Sequence, residues 1–338
     1  MKKRIIILVC SALIVILLLG LLQALVVPKY TDNTEGLLIG EYYGETGEND
    51  VIMVGDCEVY ESFVPAVLYE KYGITSYIRG SAQQLVWQSY YLLEETFRYE
   101  TPKAVVFNVY ALKYGEPQDE AYNRMTLDGM KWSGAKYDAI KASMTEGENM
   151  LDYAMPLLRF HSRITELNSD DFKYMFKDKK VSHSGYLMKK GVVPMREEAE
   201  SGRALLDYTL PETAMEYLDK MRQLCEENDA ELILVKAPTN TWGFWWYDEW
   251  DAQVSEYAEN NGLAYYNFIK CRDEIGIDFA TDTYDEGLHL NVYGAEKLTE
   301  YFGNILVSDH GLGDATHSQD VLDRWQANID AYYKERNS

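Results

Sequence analysis

Hydrophobic and polar positions divide the chain into one long apolar block followed by a series of short ones. Residues 5–27 form a nearly unbroken apolar run of 23 residues, interrupted only by Ser11, Gly20 and Gln23, which is long enough to cross a hydrocarbon layer as a helix. Further on, Val51, Ile52, Met53 and Val54 make a short continuous apolar run that stops at Gly55-Asp56, and a helical pattern through Phe63, Val67, Leu68 and Tyr72 follows. That order predicts a strand, a tight turn and a helix. Residues 74–78 read as a second strand ending at Arg79-Gly80-Ser81, with Leu85, Trp87, Tyr91, Leu92 and Leu93 supporting the next helix. Residues 104–107 (Ala-Val-Val-Phe) give a third run of the kind buried on both faces of a parallel sheet.

From about residue 114 to about 205 the periodicity loosens into short helical pieces and polar, glycine-containing stretches, which predicts a helical insertion. Regular alternation then returns. A helix over about 211–228 leads into a strand at 231–235, and a helix over about 248–260 leads into a strand at 264–268. Helical patterns over 295–307 and 320–333 close the chain, the latter with an apolar stripe of Val321, Leu322, Trp325, Ile329 and Tyr332. The alternation predicts an α/β fold, a doubly wound parallel sheet in three layers of flavodoxin-like type. The expected organisation is a cytoplasmic tip and anchor at 1–28, a polar stalk at 29–50, one α/β domain at 51–308 carrying the insertion, and a C-terminal helix within 309–338 packed on that domain.

Charge sharpens this picture. Lys2, Lys3 and Arg4 precede the apolar run and are expected to stay cytoplasmic, which places the rest of the chain on the outer side of a cell membrane, spanned once through residues 5–27. Residues 25–28 (Leu-Val-Val-Pro) lack a small-x-small cleavage pair, so a retained anchor is expected rather than a cleaved leader. Setting aside those three cations leaves 29 of the chain's 32 Lys and Arg against 55 Asp and Glu, a formal charge of −26. Such a surface repels phosphate backbones and argues against nucleic-acid binding. Of the four cysteines, Cys10 lies within the apolar run, and Cys57, Cys225 and Cys271 have neither disulfide-scaffold nor zinc-site spacing. Cys225 falls on a helical stripe and reads as a small buried apolar residue. Neither a metal-ligand spacing nor a phosphate-cradling glycine loop is found, so no metal and no cofactor are expected.

Candidate chemistry concentrates at two places. Cys57 stands where a strand ends and a helix begins, an address at which a side chain is exposed and a helix field lowers a thiol pKa. His289, in Asp285-Glu286-Gly287-Leu288-His289, follows two acids just before the last core helix, so a carboxylate can orient the imidazole as a general base. These residues carry a resemblance. Gly55-Asp56-Cys57 after strand one, Gly80 after strand two, Asn108 at the end of strand three and an acid-x-x-His near the C-terminus resemble the four sequence blocks of the SGNH (GDSL) hydrolase superfamily, over roughly residues 50–308. The likeness is closest to its membrane-anchored branch beside cell-envelope acyl-transfer systems, including the D-alanyl transfer protein of teichoic acids and alginate acetylation proteins.

The resemblance implies that Cys57 replaces the nucleophilic serine and that His289 is the base, oriented by Glu286 at the usual spacing or by Asp285 if the turn bulges. It also implies an oxyanion hole made by the Cys57 and Gly80 N–H groups and the Asn108 side chain. Two departures stand out: cysteine in place of serine, and Asn108 in Phe-Asn-Val rather than Gly-x-Asn-Asp. Outside the blocks, Trp242, Trp245 and Trp246, with Phe244, Tyr247 and Trp250, crowd the loop after the 231–235 strand, to stack on sugars, to rest on the bilayer surface or to form a hydrophobic core corner. Lys236 and Thr239 end that strand, beside an anionic substrate or in an ordinary turn. His161 is expected in a packed helix. Two functions follow as expectations: an extracytoplasmic acyl-ester hydrolase or O-acyltransferase acting on a cell-envelope glycan, or a non-catalytic module on the same scaffold that binds a glycan or a membrane-bound acyltransferase.

Overall fold

The computed structural model describes residues 2–27, 38–45, 47–169, 171–172, 180–195, 204–240 and 244–338. Helix α1 (Lys2–Val26) holds the apolar run, with side chains that are exposed until its last turn. The sheet has five parallel strands, β1 (Val51–Gly55), β2 (Ser76–Gly80), β3 (Ala104–Asn108), β4 (Glu231–Lys236) and β5 (Ala264–Asn267). Their order is 2-1-3-4-5, the flavodoxin-type doubly wound arrangement, in which the strand order reverses between β1 and β3. The continuous apolar runs have the burial they imply: every residue of β1, β2 and β3 is buried.

Strand side chains alternate between two cores. Val51, Met53, Ile78, Val106, Ile233 and Val235 face helices α2 (Cys57–Ser62), α3 (Pro65–Tyr72) and α11 (Val292–Ser308). Ile52, Val54, Tyr77, Val105, Phe107, Leu232 and Leu234 face α4 (Val86–Thr96), α9 (Glu212–Glu227) and α10 (Tyr247–Asn261). The helical pattern expected after β1 is in fact two helices. Pro65 has no N–H and starts α3 at its first turn, while Val64 before it is extended, so the chain breaks at Phe63-Val64. The freed Val64 N–H donates to Thr299 Oγ1 at 2.9 Å. Helix α12 (Gln319–Arg336) lies on α3, where Trp325 stacks on Tyr69 with ring centroids 5.0 Å apart.

One expectation about organisation needs correction. Residues 38–50 are no stalk, because Leu38, Ile39 and Tyr42 are fully buried, one in each of the three apolar clusters. Tyr42 lies over the buried Arg79 of β2, 4.0 Å from its guanidinium carbon, and its hydroxyl donates to Glu100 at 2.7 Å. The long excursion between β3 and α9 is helical over much of its described length and carries a core of its own. Helices α5 (Glu120–Leu127), α6 (Gly134–Ser143), α7 (Met150–Ala154) and α8 (Pro156–Phe160) are followed by a 3-10 turn, His161–Thr165. Leu127, Met130, Ala135, Ala139, Ile140 and Tyr153 join Leu92 of α4 in a third core. Its later part returns to the sheet: the Ile78 N–H donates to Ser184 O at 3.0 Å, so residues 183–187 cover the β2 edge. The approach is close enough that a Cβ on Gly185, whose φ is +87°, would lie 2.0 Å from Ile78 O.

Candidate active site

Loops at the carboxyl ends of all five strands converge on one pocket of about 230 Å³ beside the β1/β3 reversal point, where open α/β sheets place their ligands. Asp56, Cys57 and Glu58 line it after β1, Gln83 after β2, Tyr110 and Tyr114 after β3, Lys236, Thr239, Asn240, Phe244 and Tyr247 after β4, and Ile269 after β5, with Leu288 and His289 from the segment before α11.

Cys57 is the first residue of α2, and Asp56 is its N-cap, accepting the Glu58 N–H at 3.1 Å. Its N–H therefore has no acceptor inside the helix. His289 arrives from 232 residues away with Nε2 3.0 Å from Cys57 Sγ. On its other side Nδ1 lies 2.5 Å from Asp285 Oδ2, and the His289 backbone N–H donates to Asp285 Oδ1 at 2.8 Å. A carboxylate at Nδ1 assigns the ring proton there and leaves Nε2 free to accept from the thiol. The orienting acid is Asp285, not Glu286. Glu286 and Gly287 take φ values of +66° and +95°, so the turn bulges by one residue and carries Glu286 out of line.

A second carboxylate, which the sequence reading missed, flanks the same imidazole. Glu61 sits one helical turn after Cys57, 3.7 Å from His289 Nδ1, and accepts from the Tyr284 hydroxyl at 2.8 Å. Tyr284 stacks on the His289 ring with centroids 6.1 Å apart. Burial, and less so Asp285, pushes Glu61 up to about 7 against the pull of His289 and Lys189. Burial also pulls the His289 imidazole down, but the Cys57 sulfur, Asp285 and Glu61 outweigh it and hold the imidazole well above its ordinary value. The thiol does not behave as its address at a helix start suggests. Burial, then the Asp56 charge, pushes Cys57 up to about 11, against the lowering influence of His289.

The expected oxyanion donors are placed differently. The Asn108 amide is already committed, donating to Asp56 Oδ1 at 3.1 Å and Glu58 Oε2 at 3.0 Å, while its oxygen accepts the Ala237 N–H at 3.2 Å. Gly80 lies under α2, where a Cβ would meet Val59 Cγ1 at 2.9 Å, and is not part of the pocket wall. Gln83 is the polar residue that reaches the pocket from that loop, from a left-handed backbone with φ +51°. Lys236 is fully used: Nζ donates to both Glu58 oxygens at 2.8 and 2.9 Å, to Ala237 O at 2.9 Å and to Thr239 Oγ1 at 3.2 Å. Burial, then the Glu58 charge, raises Asp56 to about 7 against the pull of Lys236 and Lys113.

Of the aromatic loop, Phe244 and Tyr247 line the pocket. Trp245 is exposed elsewhere, Trp246 packs edge-on against Phe244 at 5.1 Å, Trp250 is core, and Trp242 lies outside the described residues. His161 is exposed in the 3-10 turn rather than packed. Cys225 is buried and all four cysteines are free. No group of three or more His, Cys, Asp and Glu suited to a metal occurs among the described residues.

Known proteins supply no further guide. No protein-family model matches the chain, and no curated protein and no solved structure matches it significantly.

Proposed function

We propose that the chain is a membrane-anchored acyl-ester hydrolase or O-acyltransferase of SGNH type, working outside the cytoplasm on an acylated cell-envelope glycan. One observation carries this reading: the line from Cys57 Sγ through His289, 3.0 Å at Nε2 and 2.5 Å at Nδ1, to Asp285, drawn from the two ends of the domain. In the reaction, Sγ attacks the ester carbonyl while Nε2 takes the thiol proton, and the same proton passes to the departing alkoxide as the thioester forms. Water or an acceptor hydroxyl then attacks the thioester, giving up its proton to Nε2 and returning the thiol. The Cys57 N–H and Gln83 serve the developing oxyanion in place of the committed Asn108. Aromatic and apolar walls from Tyr110, Tyr114, Phe244 and Tyr247 suit the acyl chain or a sugar face.

Because the base must be unprotonated and its pKa is raised, the acid limb of the rate lies above the ordinary histidine range. Helix α1 is the anchor, with Lys2, Lys3 and Arg4 cytoplasmic, and a membrane-bound acyltransferase is the fitting partner. The test uses the full-length protein in detergent with an activated acyl ester and intact-mass detection. Ester cleavage with an acyl adduct on Cys57, abolished in His289→Ala, is expected; absence of both cleavage and adduct refutes it. The commitment of the Asn108 amide favours a second reading, a non-catalytic glycan-binding module on this scaffold. That reading requires glycan binding that survives Cys57→Ala without any turnover by the parent protein.

A further inference from the structure

The end of α1 is tied to the excursion between β3 and α9. Gln23 Nε2 donates to Ala154 O at 3.5 Å, and the Arg163 guanidinium donates to Val26 O at 2.7 Å and Asp171 Oδ1 at 3.0 Å. An arginine at the last carbonyls of a helix satisfies groups that have no partner within it. The height of this junction follows from helix geometry. Residues 5–24 rise about 30 Å at 1.5 Å per residue, the thickness of a hydrocarbon core, so Gln23 to Val26 stand at the outer boundary between acyl chains and headgroups. Whatever touches them from the domain stands at that level too.

The segment that touches them exposes a run of large apolar side chains. Over residues 150–165 the two short helices and the 3-10 turn expose Leu151 (62%), Met155, Leu158 (49%) and Ile164, and Phe172 is exposed next to the Arg163 partner Asp171. The same stretch holds one acid, Asp152, against Arg159 and Arg163, in a chain whose net charge is −23; Arg159, half exposed, is held by Glu120 at 2.9 Å, and Arg163 by Asp171. Apolar side chains interleaved with arginines are the make-up of a surface that lies in the headgroup layer.

We infer that residues 150–165 form an interfacial pad, with Leu151, Met155, Leu158 and Ile164 inserted at the outer leaflet, so that the domain lies against the bilayer in a fixed pose. This goes beyond the chemistry of the pocket and rests on the reading of α1 as a membrane anchor. The occupant of the face is lipid, because the face is continuous with the exit of the membrane helix.

The experiment uses the full chain in phosphatidylcholine–phosphatidylglycerol nanodiscs, with Cys10, Cys57 and Cys271 replaced by serine. Single cysteines at Leu151→Cys, Leu158→Cys or Ile164→Cys carry an environment-sensitive NBD label. Leu13→Cys reports on α1, and Val307→Cys, on α11 across the sheet from α4, serves as the water-facing control. Quenching by headgroup-proximal doxyl lipid about threefold stronger at 151, 158 and 164 than at 307, with correspondingly weaker quenching by iodide, is expected of interfacial side chains. Quenching at 13 by mid-chain doxyl lipid, with 151, 158 and 164 as open to iodide as 307, overturns the pad and leaves the anchor standing. No lipid quenching at 13 overturns both.

Discussion

Removing the carboxylate next to Cys57 should make its thiol more reactive. Moving a thiol from its ordinary 9.0 to about 11 cuts its thiolate fraction at pH 7 by about 100-fold. Burial is the larger cause and the Asp56 charge the next. Asp56→Asn removes the charge and keeps what the side chain holds, since asparagine is an equally good N-cap and its oxygen can still accept from the Glu58 N–H and the Asn108 amide. A neighbouring like charge is worth about one pH unit or more, so iodoacetamide should alkylate Cys57 of the variant about tenfold faster than the parent at pH 9. The shape of the dependence is the stronger test. Burial and the Glu58 charge also raise the Asp56 carboxyl, so towards acid pH the parent loses the charge as well, and the two rates should converge. His289→Ala, which removes the influence that holds the thiol down, should move the rate in the opposite direction. Alkylation followed by mass spectrometry from pH 6 to pH 10 reads all three proteins. A ratio of Asp56→Asn to parent that stays flat across pH, or a slower variant at pH 9, would refute the electrostatic account.

The other predictions bear on the same elements. Asp285→Asn is expected to lower kcat for ester cleavage by about 10²–10⁴-fold through the wrong imidazole tautomer, whereas Glu286→Gln stays within about twofold; equal losses would contradict the assignment of Asp285. Gln83→Ala should cost about 10²-fold in kcat with little change in KM, and an unchanged kcat removes Gln83 from the oxyanion role. Lys236→Met strands a buried Glu58 carboxylate and should destabilise by about 3–5 kcal/mol in urea unfolding, largely recovered in the double variant Lys236→Met/Glu58→Gln; no recovery means that the pair is not the cause. Leu38→Ala should cost about 2–5 kcal/mol, since Leu38 is fully buried, and a loss under about 0.5 kcal/mol would return residues 38–50 to a surface stalk.

How much of this could be read from the chain alone depended on whether the signal was local. Continuous apolar runs at 51–54, 104–107 and 232–235 announce strands covered on both faces, because they are too short for helices and alternate with helical patterns. Cys57 and His289 were legible for a related reason: each sits at a junction between elements, where the chain has to turn and a side chain is left facing outward. The partners of those residues were not legible. Glu61 looks like one more helix acid until Tyr284 and His289 are brought to it, and Asn108 looks like a free amide until Asp56, Glu58 and the distant Ala237 N–H close around it. The choice between Asp285 and Glu286 turned on two left-handed backbone angles, which no spacing rule contains. The stalk failed as a reading because Leu38, Ile39 and Tyr42 are too few to form a periodic pattern, yet each fills a different core.

The cover on the β2 edge reaches further than the strand it protects. With Ser184 O taking the Ile78 N–H and Tyr60 O taking the Leu187 N–H, a foreign strand cannot extend the sheet on that flank without first prising off a segment of its own chain. The same two bonds fasten Ser184 to β2 and Leu187 to α2, the helix that begins at Cys57.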